Sequence, residues 1–257
     1  MRTFIEETLR EAGAAALSLA GSVERERKAD RSLVRAADIE VEKLIMGRIA
    51  ERFPGAAVVG EESGAANGGA GGRLWAVDPI DGTNSYLWGL PGWAVCIGVL
   101  EGNAPLAGGA FLPRTGELFY AERGEGASRN GSPLPSLAPL EVDSQTTLFI
   151  PSSRKRFYKL DYPGKSVAYG SAAVHISYAA GGGAIAALVD RPRIWDILGP
   201  LAVLAGVGGG AFHPDGRPLD LATLAGGEKA EGPVFFGLEE NAAKIFPCIE
   251  VYPRPGG

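Results

Sequence analysis

Residues 74–98, LWAVDPIDGTNSYLWGLPGWAVCIG, are the stretch on which the fold turns. Leu74 to Val77 reads as the end of a buried strand. Pro79 fixes its own φ and cannot donate to a ladder, so the strand is predicted to stop there. Asp78 and Asp81 flank Pro79-Ile80, and a tight bend at that point can aim both carboxylates and the Ile80 carbonyl at one spot. Hard oxygen ligands converging in this way suit Mg²⁺, at about 2.0–2.1 Å per ligand. The small residues Gly82 to Ser85 can start a short helix whose first amides, on Gly82 and Thr83, welcome an anion such as phosphate. Asp-Pro and Asp-Gly are also ordinary turn dipeptides, so these residues alone fit a plain turn equally well.

The surrounding pattern is more specific. DPIDGT resembles the DP(I/L)DGT signature of the inositol monophosphatase family, the Mg²⁺-dependent, lithium-sensitive phosphomonoesterases related to fructose-1,6-bisphosphatase. Its flanks match too: an apolar strand with Trp75 before it, then Tyr86, Gly89-Leu90-Pro91 and the run Ala94 to Gly98 after it. Upstream, Val34, Ala37 and Asp38 fit the family's V-T-x-A-D segment, with Arg35 where threonine is usual. Gly60-Glu61-Glu62-Ser63 repeats its G-E-E-S string, and Gly170-Ser171-Ala172-Ala173 its G-(S/T)-A-A. Trp195-Asp196, followed by Gly208-Gly209-Gly210, matches the second signature, although Ile197-Leu198-Gly199 departs from the common continuation.

This resemblance covers roughly residues 3–250 and implies a layered αβαβα sandwich, an α/β (α+β) fold. It implies two or three Mg²⁺ ions per subunit. Glu61, Asp78 and the Ile80 carbonyl would hold the first, and Asp78, Asp81 and Asp196 the second. Asp38 and Thr83 would orient an activated water, with Glu61 sharing the base role. Gly82, Thr83, Gly170, Ser171 and Ala172 would contact substrate, and Asp190 is a candidate for its hydroxyl groups. Four bare carboxylates at one site would raise each other's pKa, an arrangement that makes sense once divalent cations neutralise them. The implied reaction is hydrolysis of a small phosphomonoester, inositol-phosphate-like or a sugar phosphate. A 3′(2′),5′-bisphosphate nucleotidase, a fructose-1,6-bisphosphatase and a histidinol-phosphatase are alternatives within the family. A non-catalytic metal- or ligand-binding relative is the alternative from another class.

Working outward, apolar residues at helical spacing predict a helix over 3–20 ended by Gly21, a charged loop over 22–33, and a second helix over 34–52 stopped by Phe53-Pro54-Gly55. Ala57 to Gly60 reads as a strand. Adjacent strand residues face opposite ways, so only one of Glu61 and Glu62 is expected to join Asp78 and Asp81. The Gly/Ala/Asn-rich residues 64–73 are a lid, a carrier of the family's third metal, or idle slack. Strands are expected at 93–101, 105–112 and 117–121, with a hairpin signal at Asn130-Gly131. The proline-rich 132–143 is the best boundary between an N-terminal half (1–135) carrying most of the ligands and a C-terminal half (136–257) carrying Asp196. The basic cluster at 154–156 is a solvated loop, an attractor of an anionic substrate, or a contact for a partner subunit. A helix from Ser171 to Ala180, a strand over 184–190, a helix opening at Ile194 and closed by Gly206, and a final helix over 239–250 complete the reading.

Composition narrows the rest. With 46% apolar and 21% charged residues the chain reads as globular, and a net charge of −5 argues against general nucleic-acid binding. Two cysteines and two histidines leave little room for a disulfide framework, a zinc site or a histidine-based nucleophile. His175 reads as a core histidine. No run approaches the roughly 18–20 apolar residues of a membrane span, and the acidic, amphipathic N-terminus is no signal peptide. Cytoplasmic residence follows as the expectation. So do a small phosphorylated substrate as partner and, since the family is often dimeric, a homodimer.

Overall fold

The structure, a computed structural model, describes residues 1–25, 31–65, 72–152 and 158–252. Two long helices open it, α1 (Arg2–Arg25) and α2 (Arg31–Arg52). Gly21 lies inside α1 rather than ending it, and residues 22–25 and 31–33 of the expected loop are helical; 26–30 lie outside the described residues. One glycine costs a helix only about 1 kcal/mol. The buried stripe Ile5, Leu9, Ala12, Ala16 and Ala20 more than offsets it by packing on the first sheet.

That sheet contains β1 (Ala57–Gly60), β2 (Gly64–Ala65), β3 (Arg73–Asp81), β4 (Ala94–Glu101), β5 (Ala104–Leu112), β6 (Glu117–Glu122), β7 (Ala127–Arg129) and β8 (Ser132–Pro133), with α3 (Thr83–Leu87) between β3 and β4. The strand order is β2-β1-β3-β4-β5-β6-β7-β8, antiparallel except for the parallel pair β1/β3. Asn130 and Gly131 both take positive φ, 50° and 79°, as the tight β7/β8 hairpin requires. After 133 come β9 (Thr147–Phe149), β10 (Tyr158–Leu160), β11 (Lys165–Val167), α4 (Ala172–Ala180), β12 (Ala186–Asp190) and α5 (Ile194–Ala205). The chain ends with β13 (Gly210–Phe212), β14 (Pro233–Gly237), α6 (Glu239–Ile245) and β15 (Ile249–Val251). Strands β11-β9-β12-β14-β13 make a second, mixed sheet. The helix expected over 239–250 stops at Ile245: Phe246 keeps helical φ/ψ, but Pro247 has no amide to continue the ladder, and a 3₁₀ turn and β15 follow.

Alternation along single strands shows the layering. In β4, Val95, Ile97 and Val99 pack with α1 and α2, while Ala94 and Cys96 pack with Val174, Ile197 and Leu198 of α4 and α5. In β12, Ala187 and Val189 face those same two helices, whereas Leu188 packs with Ala242 and Ile245 of α6. The order is therefore helix pair, sheet, helix pair, sheet, helix. A sheet buried on both faces explains why 94–100 reads as an unbroken apolar run. The departure at Gly199 has a packing role: a Cβ there would lie 2.5 Å from the Gly109 carbonyl, so glycine lets α5 settle directly on the first sheet. Pro200 falls in the second turn of α5, where it leaves the Asp196 carbonyl without a helical donor. The segments 66–71 and 153–157, which include most of the expected lid and the basic cluster, lie outside the described residues. Among the described residues no helix is long and apolar enough to cross a membrane.

Candidate active site

The bend after Val77 is built as follows. Asp78, fully inside and paired across the ladder with Cys96, accepts the Ile80 amide through Oδ1 at 2.9 Å, so the side chain itself turns the chain around Pro79. The β3/β4 register shifts between Asp78 and Asp81, and the ladder resumes at Asp81 opposite Ala94. Pro79 thus interrupts the pairing without ending the strand, which corrects the expected stop. Ile80 buries its side chain and offers its carbonyl to the Thr83 hydroxyl at 3.4 Å. Gly82 follows at φ 97°, where a Cβ would also meet the Gly92 carbonyl at 2.7 Å.

Asp81 joins the two sheets' elements. Its Oδ2 accepts the Ser171 hydroxyl and the Ala173 amide, both at 2.6 Å, and Ser171 in turn caps α4 by accepting the Val174 amide at 3.0 Å. The Gly82 amide, expected to face phosphate, also bonds the Asp81 carboxyl. Burial pushes Asp81 up to about 6 against these hydrogen bonds. Asp196, third residue of α5, accepts the Arg193 amide at 2.8 Å; burial and then the Asp81 charge push it up to about 8. Asp78 is raised well above the usual carboxylate range by burial, then by Glu61, Asp81 and Asp196.

Two further acids close the group. Asp38, buried on α2, has an Oδ1 with no hydrogen-bond partner and is raised to about 7 by burial, Glu62 and Glu42. Glu61 and Glu62 sit in the β1/β2 turn rather than on a strand, so the rule of opposite faces does not govern them. Glu61 is raised to about 7 by desolvation and by Asp38, Asp81 and Glu62, while sharing a hydrogen bond with Asp78. Glu62 turns to Arg35, 3.2 Å away.

A cavity of about 540 Å³ is lined by Asp38, Glu61, Glu62, Thr83, Gly82 and Gly170, among others. A second, of about 730 Å³, shares Asn84 and Gly170 with it and is lined by Ser171, Ala172, Trp88, Leu90, Tyr169 and Val189. Asp190 lines neither: Val189 faces that space, and Asp190, half-buried, is the last residue of β12. His175 is a core histidine, its Nε2 accepting the Tyr169 amide at 2.8 Å, with burial holding it down to about 4. Sequence reasoning passed over Glu42, whose only signal was its place one helical turn beyond Asp38.

Among the described residues no three His, Cys, Asp or Glu side chains make a ready cage for an ion; Asp81 and Asp196 each have an oxygen committed to a backbone amide. The donor set is nevertheless all hard oxygen, crowded, and short of positive charge. That fits a cation which completes its shell with water and substrate oxygens.

Five layers, with acids from elements around both sheets set beside a cavity that Asp38 and Glu61 line, go with a family of phosphatases, which are hydrolases. The chain matches the Inositol monophosphatase family along residues 1–245 and belongs to it. It is 29% identical to the fructose-1,6-bisphosphatase/inositol-1-monophosphatase of Aquifex aeolicus over 80% of this chain and 81% of that one. It is 34% identical to the histidinol-phosphatase of Chlorobaculum parvum over 74% and 76% respectively. Among solved structures, inositol monophosphatase II of Staphylococcus aureus MSSA476 superposes with a TM-score of 0.79 at 28% identity, covering 95% of this chain and 93% of that one.

Proposed function

We propose that this chain hydrolyses a small phosphomonoester with the help of Mg²⁺. The observation that carries the reading is the gathering of Glu61, Asp78, Asp81 and Asp196 from three separate stretches of chain, where burial raises all four and neighbouring carboxylates raise Glu61, Asp78 and Asp196 further. Folding has forced together carboxyls that cost stability unless a cation joins them. Glu61, Asp78 and the Ile80 carbonyl would hold one ion, and Asp78, Asp81 and Asp196 a second. When bound, the ions supply the charge that stabilises attacking and leaving oxygens in an in-line displacement.

The chain's own groups do the rest. The substrate phosphate enters the cavity beside Thr83, whose hydroxyl, set on the Ile80 carbonyl, orients the attacking water. The unpartnered Oδ1 of Asp38 is the acceptor for that water's proton. Gly170 and Ser171 border the space for the leaving alcohol.

An inositol or sugar phosphate is the first substrate reading. Trp88 and Tyr169, set beside Asn84, Ser85 and Ser152 in the second cavity, offer ring faces and favour a second: a phosphoester of a flatter, heterocyclic alcohol, as in histidinol phosphate or adenosine 3′,5′-bisphosphate. Phosphate release should be measured on inositol 1-phosphate, fructose 1,6-bisphosphate, histidinol phosphate and adenosine 3′,5′-bisphosphate, with Mg²⁺, with EDTA and with added Li⁺. Release that needs Mg²⁺ and vanishes in Asp78→Asn is expected. No release from any of the four, or release indifferent to Asp78→Asn, overturns the proposal in favour of a binding protein.

A further inference from the structure

We infer that Glu42 is a positioning residue that holds Glu61 in the acidic cluster by gripping the main chain beside it. For the role of Glu61 the inference rests on the phosphatase reading above; for how Glu61 is held it rests on geometry alone. Glu42 follows Asp38 by one helical turn on the same face of α2. Its side chain is only 3% exposed, and both carboxylate oxygens are used: Oε2 accepts the Glu62 amide and Oε1 the Ser63 amide, each at 2.9 Å. Successive amides converging on one carboxylate form an anion nest, here with the anion supplied by the protein itself.

The strand is shaped for this grip. Gly60 pairs with Gly64 across the β1/β2 hairpin, so Glu61, Glu62 and Ser63 are the turn. A Cβ at position 60 would stand 2.5 Å from Glu42 Oε2, so only glycine lets β1 pass so close. The turn is draped over a buried carboxylate whose helix also presents Asp38.

Glu61 needs such an anchor. Part of Glu61 reaches solvent while its carboxyl is desolvated among the acids and repelled by Asp38, Asp81 and Glu62; the Asp78 carboxyl is its side-chain hydrogen-bond partner. Like charges push it outward, and its own side chain has little to resist them with. Glu62 is drawn aside by Arg35. Fixing the two amides that follow Glu61 fixes the direction in which its side chain leaves the turn. Glu42 does not line the cavity, so it acts on the reaction only through that main chain.

The test is Glu42→Gln, which keeps the shape but leaves one acceptor oxygen for two amides. Mg²⁺ binding to the substrate-free protein, read by calorimetry, should weaken about 10–100-fold, the usual effect of losing a partner that orients a ligand. Turnover at saturating Mg²⁺ should return to within about threefold of wild type. Hydrogen exchange at the Glu62 and Ser63 amides should accelerate. Because Glu42 works through Glu61, the two effects should not add: in a Glu61→Gln background, Glu42→Gln should change Mg²⁺ affinity less than about twofold. Gly60→Ala, which crowds Oε2 from the strand side, should reproduce the metal defect and serves if Glu42→Gln fails to fold. A folded Glu42→Gln with wild-type Mg²⁺ affinity and unchanged exchange at Glu62 and Ser63 overturns the anchor alone, and so do additive losses in the double variant. Wild-type protein that binds no Mg²⁺ overturns the phosphatase reading and this role together, whatever the exchange shows.

Discussion

Replacing Asp38 by Asn should make the cation-free protein more stable as it makes the enzyme inactive, and the gain should grow with pH. Asp38 is buried, one carboxyl oxygen has no partner, and its pKa stands at about 7. In the unfolded chain the same group titrates near 3.9. The folded value is the higher one, so the native state binds the extra proton between these limits. Its contribution is complete below the unfolded value and is lost as pH rises through about 7. From pH 5 to pH 8 the linkage relation puts the loss at about 2.5 kcal/mol. Asn carries no charge to desolvate, so the advantage of Asp38→Asn over wild type should widen by about that amount across the same range. For a chain of this size that is a gap in Tm growing by roughly 5–10 °C. Thermal unfolding in EDTA at pH 5, 6, 7 and 8 reads it directly. Saturating Mg²⁺ should shrink the gap, because nearby cations relieve the same cost in wild type. Turnover should fall about 10²–10⁴-fold, the range for losing a general base. A gap that is flat with pH, or that narrows as pH rises, would refute the claim that Asp38 is held strained and proton-hungry in the fold.

Three further outcomes follow from single contacts. Ser171→Ala removes both the α4 cap and the 2.6 Å bond to Asp81, and should cost about 2–3 kcal/mol in urea unfolding at pH 7. His175 is neutral in the fold with its pKa held down to about 4, so its stabilisation is present above about pH 6.5 and lost as pH falls toward 4. His175→Phe should flatten that acid limb by up to about 3 kcal/mol, read from urea midpoints between pH 4 and 7 in EDTA. Gly199→Ala forces a Cβ to within 2.5 Å of the Gly109 carbonyl and should cost about 1–3 kcal/mol in the same unfolding assay, with residual activity tracking the folded fraction.

Much of this molecule is legible in short windows because short-range physics fixes it. The bend at Asp78-Pro79-Ile80-Asp81, the hairpin at Asn130-Gly131, the Ser171 cap and the doubly buried run in β4 each follow from turn chemistry, capping or periodicity over a few residues. Helix ends were less legible. Gly21 and the charged residues beside it look like a stop, yet α1 runs on because its buried stripe is already paid for by the sheet beneath. Asp190 reads as a candidate for the substrate's hydroxyl groups, but the second cavity is lined by Leu188 and Val189 and not by Asp190, which sits where β12 ends.

The chain's sequence, taken alone, settled which local pieces form and supplied the acidic, hard-oxygen chemistry, since those depend on residue type and on neighbours a turn or two away. What only the tertiary structure decided is which groups meet: that Asp81 docks α4 through Ser171, that Asp38 keeps a bare oxygen, and that Glu42 spends both of its own on the turn carrying Glu61. Those pairings join residues tens of positions apart, and no local rule encodes them. They exist because packing two sheets against shared helices buries polar groups that must find partners within the space left to them.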